Sequence, residues 1–322
     1  KFYSTSNLDL DPNITDHAIL SIVDKIKNYS IEGREYPCGV FLDFGKAFDT
    51  VNHKMLLMKL EHYGMMELKN YEWFRSYLDN RQQIVVVNGV LSAKCSTSCG
   101  IPSWPFIVSI IININDFHNS SKLFEFHLFA DDANLFYEHE SLQQLPENIN
   151  AELINIHTWL CANKLSLNIQ KSNFILFHPP QKKLQDSSLN LKLRINKQLK
   201  REYCIRYLGI LIVTSHRNWK KQVEFIDKKK IRRSIGILGK LKHYVDLNMV
   251  KFYYALIYPF LTFGILIWGN SYETTLKLIF ILQKKAVYII TSKLDSSTSA
   301  LFKSFELSFL ILLYFKLQLL CH

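Results

Sequence analysis

The sequence has few cysteines for its length, and they are scattered. Its 322 residues contain six of them: Cys38, Cys95, Cys99, Cys161, Cys204 and Cys321. The opening residues, KFYSTSNLDLDPN, also lack the basic-then-apolar order of a secretory signal peptide. A disulfide framework is therefore not expected, and a reduced intracellular compartment is. Cys95 and Cys99 have no His or Cys pair nearby, so their spacing does not favour a zinc site.

Long uncharged runs are also scarce. One stretch, FYYALIYPFLTFGILIWG at residues 252–269, approaches the roughly 20 apolar residues that a membrane-spanning helix needs. Pro259 interrupts it, tyrosine is frequent, and its flanks are basic. We expect a buried helix pair or helix–turn–helix and no membrane partner, with a spanning helix as the alternative.

Acidic residues are too few to balance the basic ones, which leaves a formal net charge of +11. Such an excess favours a polyanionic partner, with nucleic acid first and an acidic membrane surface second. The hydrophobic content of 48% excludes a disordered chain. The sequence does not indicate an oligomeric state.

The order of patterns predicts an α+β body followed by an all-helical part. Helical spacing is found over residues 14–30, and a compact β-type run ends at Asp43. Asn88-Gly89 between β-branched residues indicates a hairpin. From Trp219 onward the pattern is helical. We therefore expect one domain over residues 1–215 and a second over 216–322.

Two adjacent acids interrupt the apolar run FHLFADDANLFY. The pattern predicts a hairpin with Asp131 and Asp132 at its tip. Carboxylates held close together repel, and divalent cations such as Mg²⁺ relieve that repulsion. Two such ions about 4 Å apart support in-line phosphoryl transfer. An adjacent acid pair on its own is more often part of a solvated turn, so the interpretation depends on a third acid elsewhere.

Four blocks in order supply that context: FLDFGKAFDTVNHKMLLMKLEHYG, FADD, WLCANKLSLNIQKS and YLGI. Together they resemble the reverse transcriptase of non-LTR retrotransposons, particularly the jockey-like insect type. The resemblance implies a right-hand polymerase palm with partial fingers, followed by a thumb-like helical region. It also implies RNA-directed DNA polymerase activity in the nucleus and cytoplasm, with an RNA template, a DNA primer, deoxynucleoside triphosphates and two Mg²⁺ ions, or Mn²⁺ instead.

The resemblance assigns the metal ligands residue by residue. Asp43 and Asp131 match the ligand positions, Asp132 is the neighbouring acid of the same tip, and the backbone carbonyl of Phe44 completes a metal shell. Lys171 matches the lysine beside the triphosphate and is a candidate general acid. A surface lysine at a strand end is the alternative for Lys171.

The resemblance also assigns a nucleotide pocket. The amides of Lys46 and Ala47 would point at the triphosphate, and Phe48 would exclude a ribose 2′-OH. A core aromatic is the alternative for Phe48. Gly100 and Pro102 match the pocket loop. The predicted primer grip, which would hold the primer terminus, is formed by Tyr207, Leu208 and Gly209.

The pocket loop departs from the family pattern Gly-x-Pro-Gln-Gly-Ser. Here it is CGIPSWPFIVS, with Ser103 and Trp104 in place of Gln and Gly. The finger strands and the endonuclease domain of the family lie upstream of the first block, so we expect a truncated copy whose activity is severely reduced or absent. A catalytically inactive nucleic-acid-binding remnant is the alternative.

A basic segment follows near residue 220. Its apolar positions fit a helix with one buried side, and the resemblance makes it a thumb helix that contacts the sugar-phosphate backbone. A solvated helix face is the alternative. The basic residues expected to bind nucleic acid are Lys220, Lys221, Lys228, Lys229, Lys230, Arg232 and Arg233.

Overall fold

The computed structural model describes residues 13–32, 36–64, 69–101, 112–129, 132–178, 190–194, 197–214, 219–242, 244 and 249–291. The chain forms two compact units. The first comprises residues 1–7, 34–176 and 182–202, and the second comprises residues 8–33, 177–181 and 203–322. The functional domains 1–215 and 216–322 stay predictions.

Helices and strands are mixed along the chain up to residue 201. Helix α1 (Asn13–Glu32) belongs to the second unit and confirms the predicted helix over residues 14–30. The elements of the first unit are β1 (Tyr36–Asp43), α2 (Ala47–Thr50), α3 (His53–His62), α4 (Lys69–Leu78), β2 (Gln82–Gln83), β3 (Val86–Val87), β4 (Val90–Leu91), β5 (Cys95–Ser96), α5 (described over 112–114), a 3-10 turn (Phe117–Ser120), β6 (Glu125–Phe129), β7 (Asp132–His139), α6 (Gln144–Ala162), β8 (Asn173–Leu176), β9 (Lys192–Arg194), β10 (Lys197–Gln198) and β11 (Lys200–Arg201).

A five-stranded sheet organises the first unit, with strand order β11-β8-β1-β7-β6. The pairs that β1 makes with β7 and β8 are antiparallel, and β11 runs parallel to β8. The residues of β1 between its two ends are all buried, as expected for a central strand. The ladder with β8 ends at Phe41, whereas the ladder with β7 continues to Asp43, the last residue of β1.

One face of this sheet packs on a helix. Alternate β1 residues Cys38, Val40 and Leu42 belong to the buried core, because successive side chains on a strand point to opposite faces. Helix α6 supplies apolar residues to the same core at intervals of three and four: Leu145, Ile149, Leu153, Ile156 and Leu160. Asp43 belongs to the other set of β1 residues, on the face opposite this core.

Besides α1, the second unit contains a hairpin followed by helices over its described residues from 203 to 291. The elements are β12 (Cys204–Tyr207), β13 (Ile210–Val213), α7 (Lys220–Phe225), a π-helical turn (Ile226–Ile231), α8 (Arg232–Leu241), α9 (Met249–Leu256), α10 (Tyr258–Thr262), α11 (Ile265–Trp268) and α12 (Glu273–Thr291).

The uncharged stretch at residues 252–269 is divided among three short helices. Helix α9 ends at Leu256, α10 has Pro259 in its first turn, and Gly264 adopts a left-handed conformation before α11. The stretch is therefore broken by turns, as the predicted helix pair or helix–turn–helix requires, but it forms three helices instead of two. Over the part of the chain that the structure describes, no helix is long and apolar enough to cross a membrane.

The predicted hairpins are also present. Asn88 and Gly89 have φ angles of 51° and 81° and connect β3 to β4, as the two-residue turn requires. Strand β6 pairs with β7 so that Phe129 lies opposite Asp132 at the end of the ladder. Asp132 therefore begins β7 at the predicted hairpin tip, and Asp131 lies outside the described residues.

Candidate active site

Asp43 lies directly opposite Asp132 in the antiparallel pairing of β1 with β7. The pair before it, Leu42 and Ala133, is buried in the core, so the two acids are on the other face of the sheet. Directly opposed residues of an antiparallel pair have Cβ atoms about 4.5–5.5 Å apart. Both acids are half-buried. Two carboxylates from distant parts of the sequence therefore meet at one end of the β1–β7 ladder.

The third predicted acid, Asp131, lies outside the described residues, as does Ala130. Among the described residues, no group of three or more His, Cys, Asp or Glu side chains is placed to hold a metal ion. Asp43 and Asp132 are thus the two members of the predicted set whose relative position the structure gives.

The backbone after Asp43 is fixed by residues 166–168. The Asn168 amide donates to the Asp43 carbonyl at 2.8 Å, and the Gly45 amide donates to the Ser166 carbonyl at 2.7 Å. Phe44 and Leu167 form the bridge between these two bonds. Neither bond uses the Phe44 carbonyl, the predicted backbone metal ligand.

Ser172 is a positioning residue that the sequence patterns did not reveal. Its Oγ accepts a hydrogen bond from the Asp43 amide at 3.1 Å and donates to the Asn168 carbonyl at 2.9 Å. The side chain is fully buried. The neighbouring Lys171 is exposed, and its amide donates to the same Asn168 carbonyl. The turn that carries Lys171 therefore also holds the backbone of Asp43. In the sequence, Ser172 is marked only as the last residue of the block WLCANKLSLNIQKS.

The residues after Gly45 form the start of a short helix. Lys46 has φ 53° and ψ 47°, and its carbonyl accepts hydrogen bonds from the Asp49 and Thr50 amides. A left-handed conformation is costly for a non-glycine residue, and such strain concentrates at functional sites. Ala47 is buried, whereas Phe48 is half-buried and packs against the core of the unit. The ring of Phe48 is thus supported from the core side.

The start of the predicted pocket loop pairs with the residues that follow Phe48. The Gly100 amide donates to the Val51 carbonyl and the Ile101 amide donates to the Phe48 carbonyl, both at 2.9 Å. Gly100 has φ +88°, and a Cβ there would lie 3.2 Å from the Asp49 carbonyl oxygen. Glycine is favoured here because the positive φ angle and the short distance both disfavour a side chain.

His53 contributes a further link to this loop. Its Nε2 lies 2.8 Å from the Gly100 carbonyl oxygen, and its side chain is 6% exposed. Since a carbonyl only accepts, Nε2 carries the proton and donates. The sequence patterns did not mark this residue. Pro102, Ser103 and Trp104 lie outside the described residues.

The predicted primer grip is the turn between β12 and β13, in the second unit. Tyr207 is buried and pairs with Ile210, while Leu208 and Gly209 form the turn with φ angles of 43° and 90°. A Cβ on Gly209 would lie 2.9 Å from the Phe263 ring. The turn is thus packed closely against the segment between α10 and α11.

The predicted nucleic-acid-binding residues lie in α7, the π-turn and α8. All are exposed except Lys230, which is half-buried. Two of them have acidic partners: Arg232 makes two hydrogen bonds to the buried Asp227, at 2.8 and 3.2 Å, and Lys228 lies 3.6 Å from Glu224. The charges of Arg232 and Lys228 are therefore partly compensated within the chain.

Comparison with known families identifies the class to which this sheet and its opposed acids belong. The family model described as Reverse transcriptase (RNA-dependent DNA polymerase) matches residues 7–212, which is more than half of the chain. The chain belongs to the reverse transcriptase family. This confirms the resemblance inferred from the four sequence blocks.

Three of the curated relatives are RNA-directed DNA polymerases, or probable ones, from mobile elements of Drosophila melanogaster. The chain is 23% identical over 286 residues to the RNA-directed DNA polymerase from mobile element jockey, covering 84% of the chain and 30% of the relative. It is 21% identical over 277 residues to the probable RNA-directed DNA polymerase from transposon X-element, covering 81% and 29%. A third relative, from transposon BS, is 21% identical over 307 residues, covering 85% and 31%. The chain thus spans about a third of the length of these relatives.

Two solved telomerase structures are also similar. Telomerase from Candida albicans, in complex with a TWJ fragment of telomeric RNA, has a TM-score of 0.40 and 13% identity, covering 95% of this chain and 52% of that chain. Apo telomerase from Candida tropicalis has a TM-score of 0.45 and 10% identity, covering 92% and 47%.

Proposed function

We propose that this chain is the polymerase domain of a non-LTR retrotransposon and extends a primer 3′-OH with deoxynucleotides on an RNA template. The observation that carries the proposal is the direct pairing of Asp43 with Asp132, within the region that matches the reverse transcriptase family. We further propose a right-hand arrangement, with the palm in the sheet and a thumb in the helices after residue 215. Because the proposed template is RNA and the proposed primer is DNA, we also propose that the reaction takes place inside the cell, in the nucleus and cytoplasm.

The donor atoms at the acids fit hard divalent cations. Two opposed carboxylates, with Asp131 and the Phe44 carbonyl beside them in sequence, offer only oxygen, which Mg²⁺ and Mn²⁺ prefer. A pair of such ions would activate the primer 3′-OH and stabilise the leaving oxygen. The Asn168 amide donates to the Asp43 carbonyl and the Asp43 amide donates to Ser172 Oγ, and these two bonds hold the backbone of Asp43 in place before any ion binds. Such preorganisation lowers the reorganisation required during the reaction.

The nucleotide is held, in this proposal, by the residues after Asp43. The amides of Lys46 and Ala47 bind its phosphates, and the supported ring of Phe48 excludes a 2′-OH. Gly100 and Pro102 form the opposite side of the pocket. The hydrogen bond from the Ile101 amide to the Phe48 carbonyl supports the assignment of Gly100. Lys171, on the turn that holds Asp43, donates a proton to the leaving pyrophosphate.

The second unit would bind the template–primer. Tyr207, Leu208 and Gly209 hold the primer terminus, and the exposed basic residues of α7, the π-turn and α8 contact backbone phosphates. Such contacts are independent of sequence and weaken as salt rises. The net charge of +11 supports this assignment.

The substitution of Gln and Gly by Ser103 and Trp104 favours reduced activity, because phosphoryl transfer depends on positioning. A catalytically inactive remnant that still binds nucleic acid is the second candidate, and this same substitution favours it.

Primer extension on poly(rA)/oligo(dT) with dTTP and Mg²⁺ or Mn²⁺ tests the proposal. We expect metal-dependent extension that Asp131→Ala and Asp43→Asn abolish. The matched control Asp49→Asn, six residues from Asp43 and exposed, should retain it. Wild-type chain that binds the duplex but extends nothing would support the inactive remnant. Extension that survives Asp43→Asn would contradict the assignment of the acids.

A further inference from the structure

Three cationic side chains surround one aromatic ring in the second unit. The guanidinium carbon of Arg206 lies 5.5 Å from the centroid of the Phe225 ring. The ammonium nitrogens of Lys229 and Lys230 lie 5.9 and 6.0 Å from the same centroid. Arg206 comes from strand β12, whereas the lysines come from the π-turn. We call these four residues the Phe225 cluster.

The π-turn explains how both lysines reach the ring. In an α-helix each residue turns by about 100°, so a residue five positions on points about 140° away from the first. Lys230 is five residues after Phe225 and would lie on another side of such a helix. The wider π-turn at Ile226–Ile231 brings positions four and five residues on above the same ring. A helix with only α-helical turns would separate the two charges.

The acids close to this cluster in sequence are already engaged. Asp227 is 2% exposed and is hydrogen-bonded to Arg232, which is also five residues further on. Glu224 lies 3.6 Å from Lys228. Over the described residues, Arg206, Lys229 and Lys230 form no ion pair. Among the residues that the structure describes, these three like charges are thus held around one ring without a paired carboxylate.

The exposure of the cluster allows an external anion to approach. Arg206 and Lys229 are exposed, and Lys230 is half-buried with a second ring, Phe260, 5.3 Å from its nitrogen. The ring faces attract the cations and fix their position. Mutual repulsion among the cations remains and favours an anion with several acceptor oxygens. A guanidinium binds a phosphate through two parallel hydrogen bonds, and lysines add point charges.

We infer that the Phe225 cluster is a binding site for a backbone phosphate of a bound polynucleotide, with Arg206 as its central ligand. The inference rests on the proposed function, because the template–primer is the polynucleotide concerned. It adds Arg206, which lies on the hairpin of the predicted primer grip, to the basic residues of the helices. One site then links the hairpin and the π-turn to the same phosphate backbone.

Fluorescence anisotropy with a labelled RNA–DNA hybrid, measured at several salt concentrations on the whole chain, tests this site. Arg206→Gln should weaken binding about tenfold and lower the salt slope by about one. Lys230→Met, which keeps the aliphatic stem against the rings, should act in the same direction. The control Lys251→Gln removes one exposed charge from α9 and should change affinity less than twofold. Arg206→Lys keeps the positive charge but loses the planar guanidinium. This variant should keep the salt dependence of binding and lose part of the affinity.

The outcomes separate the site from the proposed function. Wild-type chain that binds no hybrid would refute nucleic-acid binding, and the site with it. Wild-type binding with an unchanged affinity and slope in Arg206→Gln would overturn the site alone. A parallel titration with pyrophosphate distinguishes a backbone phosphate from a free one. Tighter binding of pyrophosphate than of the hybrid, lost in Arg206→Gln, would overturn the assignment to a polynucleotide.

Discussion

Asp43, at the end of β1, faces Asp132, at the start of β7, as a direct cross-strand pair. The two residues are 89 positions apart in sequence, and the sheet register alone brings them together. The next ladder position inward, Leu42 with Ala133, is apolar and buried. Leu42 and Ala133 lie on the core face of the sheet and the two acids lie on the opposite face, which is where a palm would present its acids.

Ser172→Ala should destabilise the chain by about 1–3 kcal/mol, because the Asp43 amide loses its acceptor in a buried place. Urea unfolding followed by circular dichroism measures the shift in midpoint. Ser166→Ala is the matched control: Ser166 is exposed and its contact to the Gly45 carbonyl is 3.4 Å long, so a change within about 0.5 kcal/mol is expected. Equal effects of the two variants would remove Ser172 from its positioning role.

Two Gly→Ala substitutions should change the free energy of unfolding in opposite directions. Gly264 has φ +62°, and a Cβ would lie 2.6 Å from the Cδ1 of buried Ile210, so Gly264→Ala should cost about 1–3 kcal/mol. Gly236 lies inside α8 with open space around it, so Gly236→Ala should stabilise by about 0.5–1 kcal/mol. Thermal unfolding of both variants decides the matter. A stabilising Gly264→Ala would mean that α11 begins differently.

Cys38 should resist alkylation in the folded protein. Its side chain is 1% exposed, and burial raises the pKa of its thiol from 9.0 to about 12. At pH 8 we expect iodoacetamide to modify the exposed Cys95, Cys99 and Cys161 first, and Cys38 only after unfolding. Peptide mass spectrometry over time measures each rate. Modification of Cys38 as fast as Cys95 would contradict the buried position of β1.

The same pKa shift gives an alkaline pH dependence. Above pH 9 the unfolded chain releases the Cys38 proton while the folded chain retains it. The contribution of this thiol to stability is therefore complete below about pH 9 and is lost as the pH rises toward 12. The free energy of unfolding of Cys38→Ser, measured from pH 8 to pH 11, should therefore decrease less steeply with pH than that of the wild type.

Sequence patterns were sufficient for features that depend on neighbouring residues. The end of β1 at Asp43 and the Asn88-Gly89 turn follow from strand composition and turn residues. The bond between the Asp43 amide and Ser172 joins residues 129 positions apart, so local patterns carry no signal for it. The π-turn could not be predicted from the sequence either, because the spacing of Val223, Ile226 and Ile231 also fits an ordinary α-helix. Left-handed Leu208 was unexpected, since bulky residues rarely adopt that conformation.

Binding of Mn²⁺ tests the central claim most directly, because it does not require catalysis. The signal of free Mn²⁺ in electron paramagnetic resonance reports binding to the chain in the presence of an RNA–DNA hybrid and a non-hydrolysable deoxynucleotide. We predict that Asp43→Asn and Asp132→Asn each weaken Mn²⁺ binding at least about tenfold, as loss of a carboxylate ligand requires, while Asp49→Asn leaves it unchanged. Wild-type affinity in Asp43→Asn would contradict the claim that the opposed acids of β1 and β7 form a metal site.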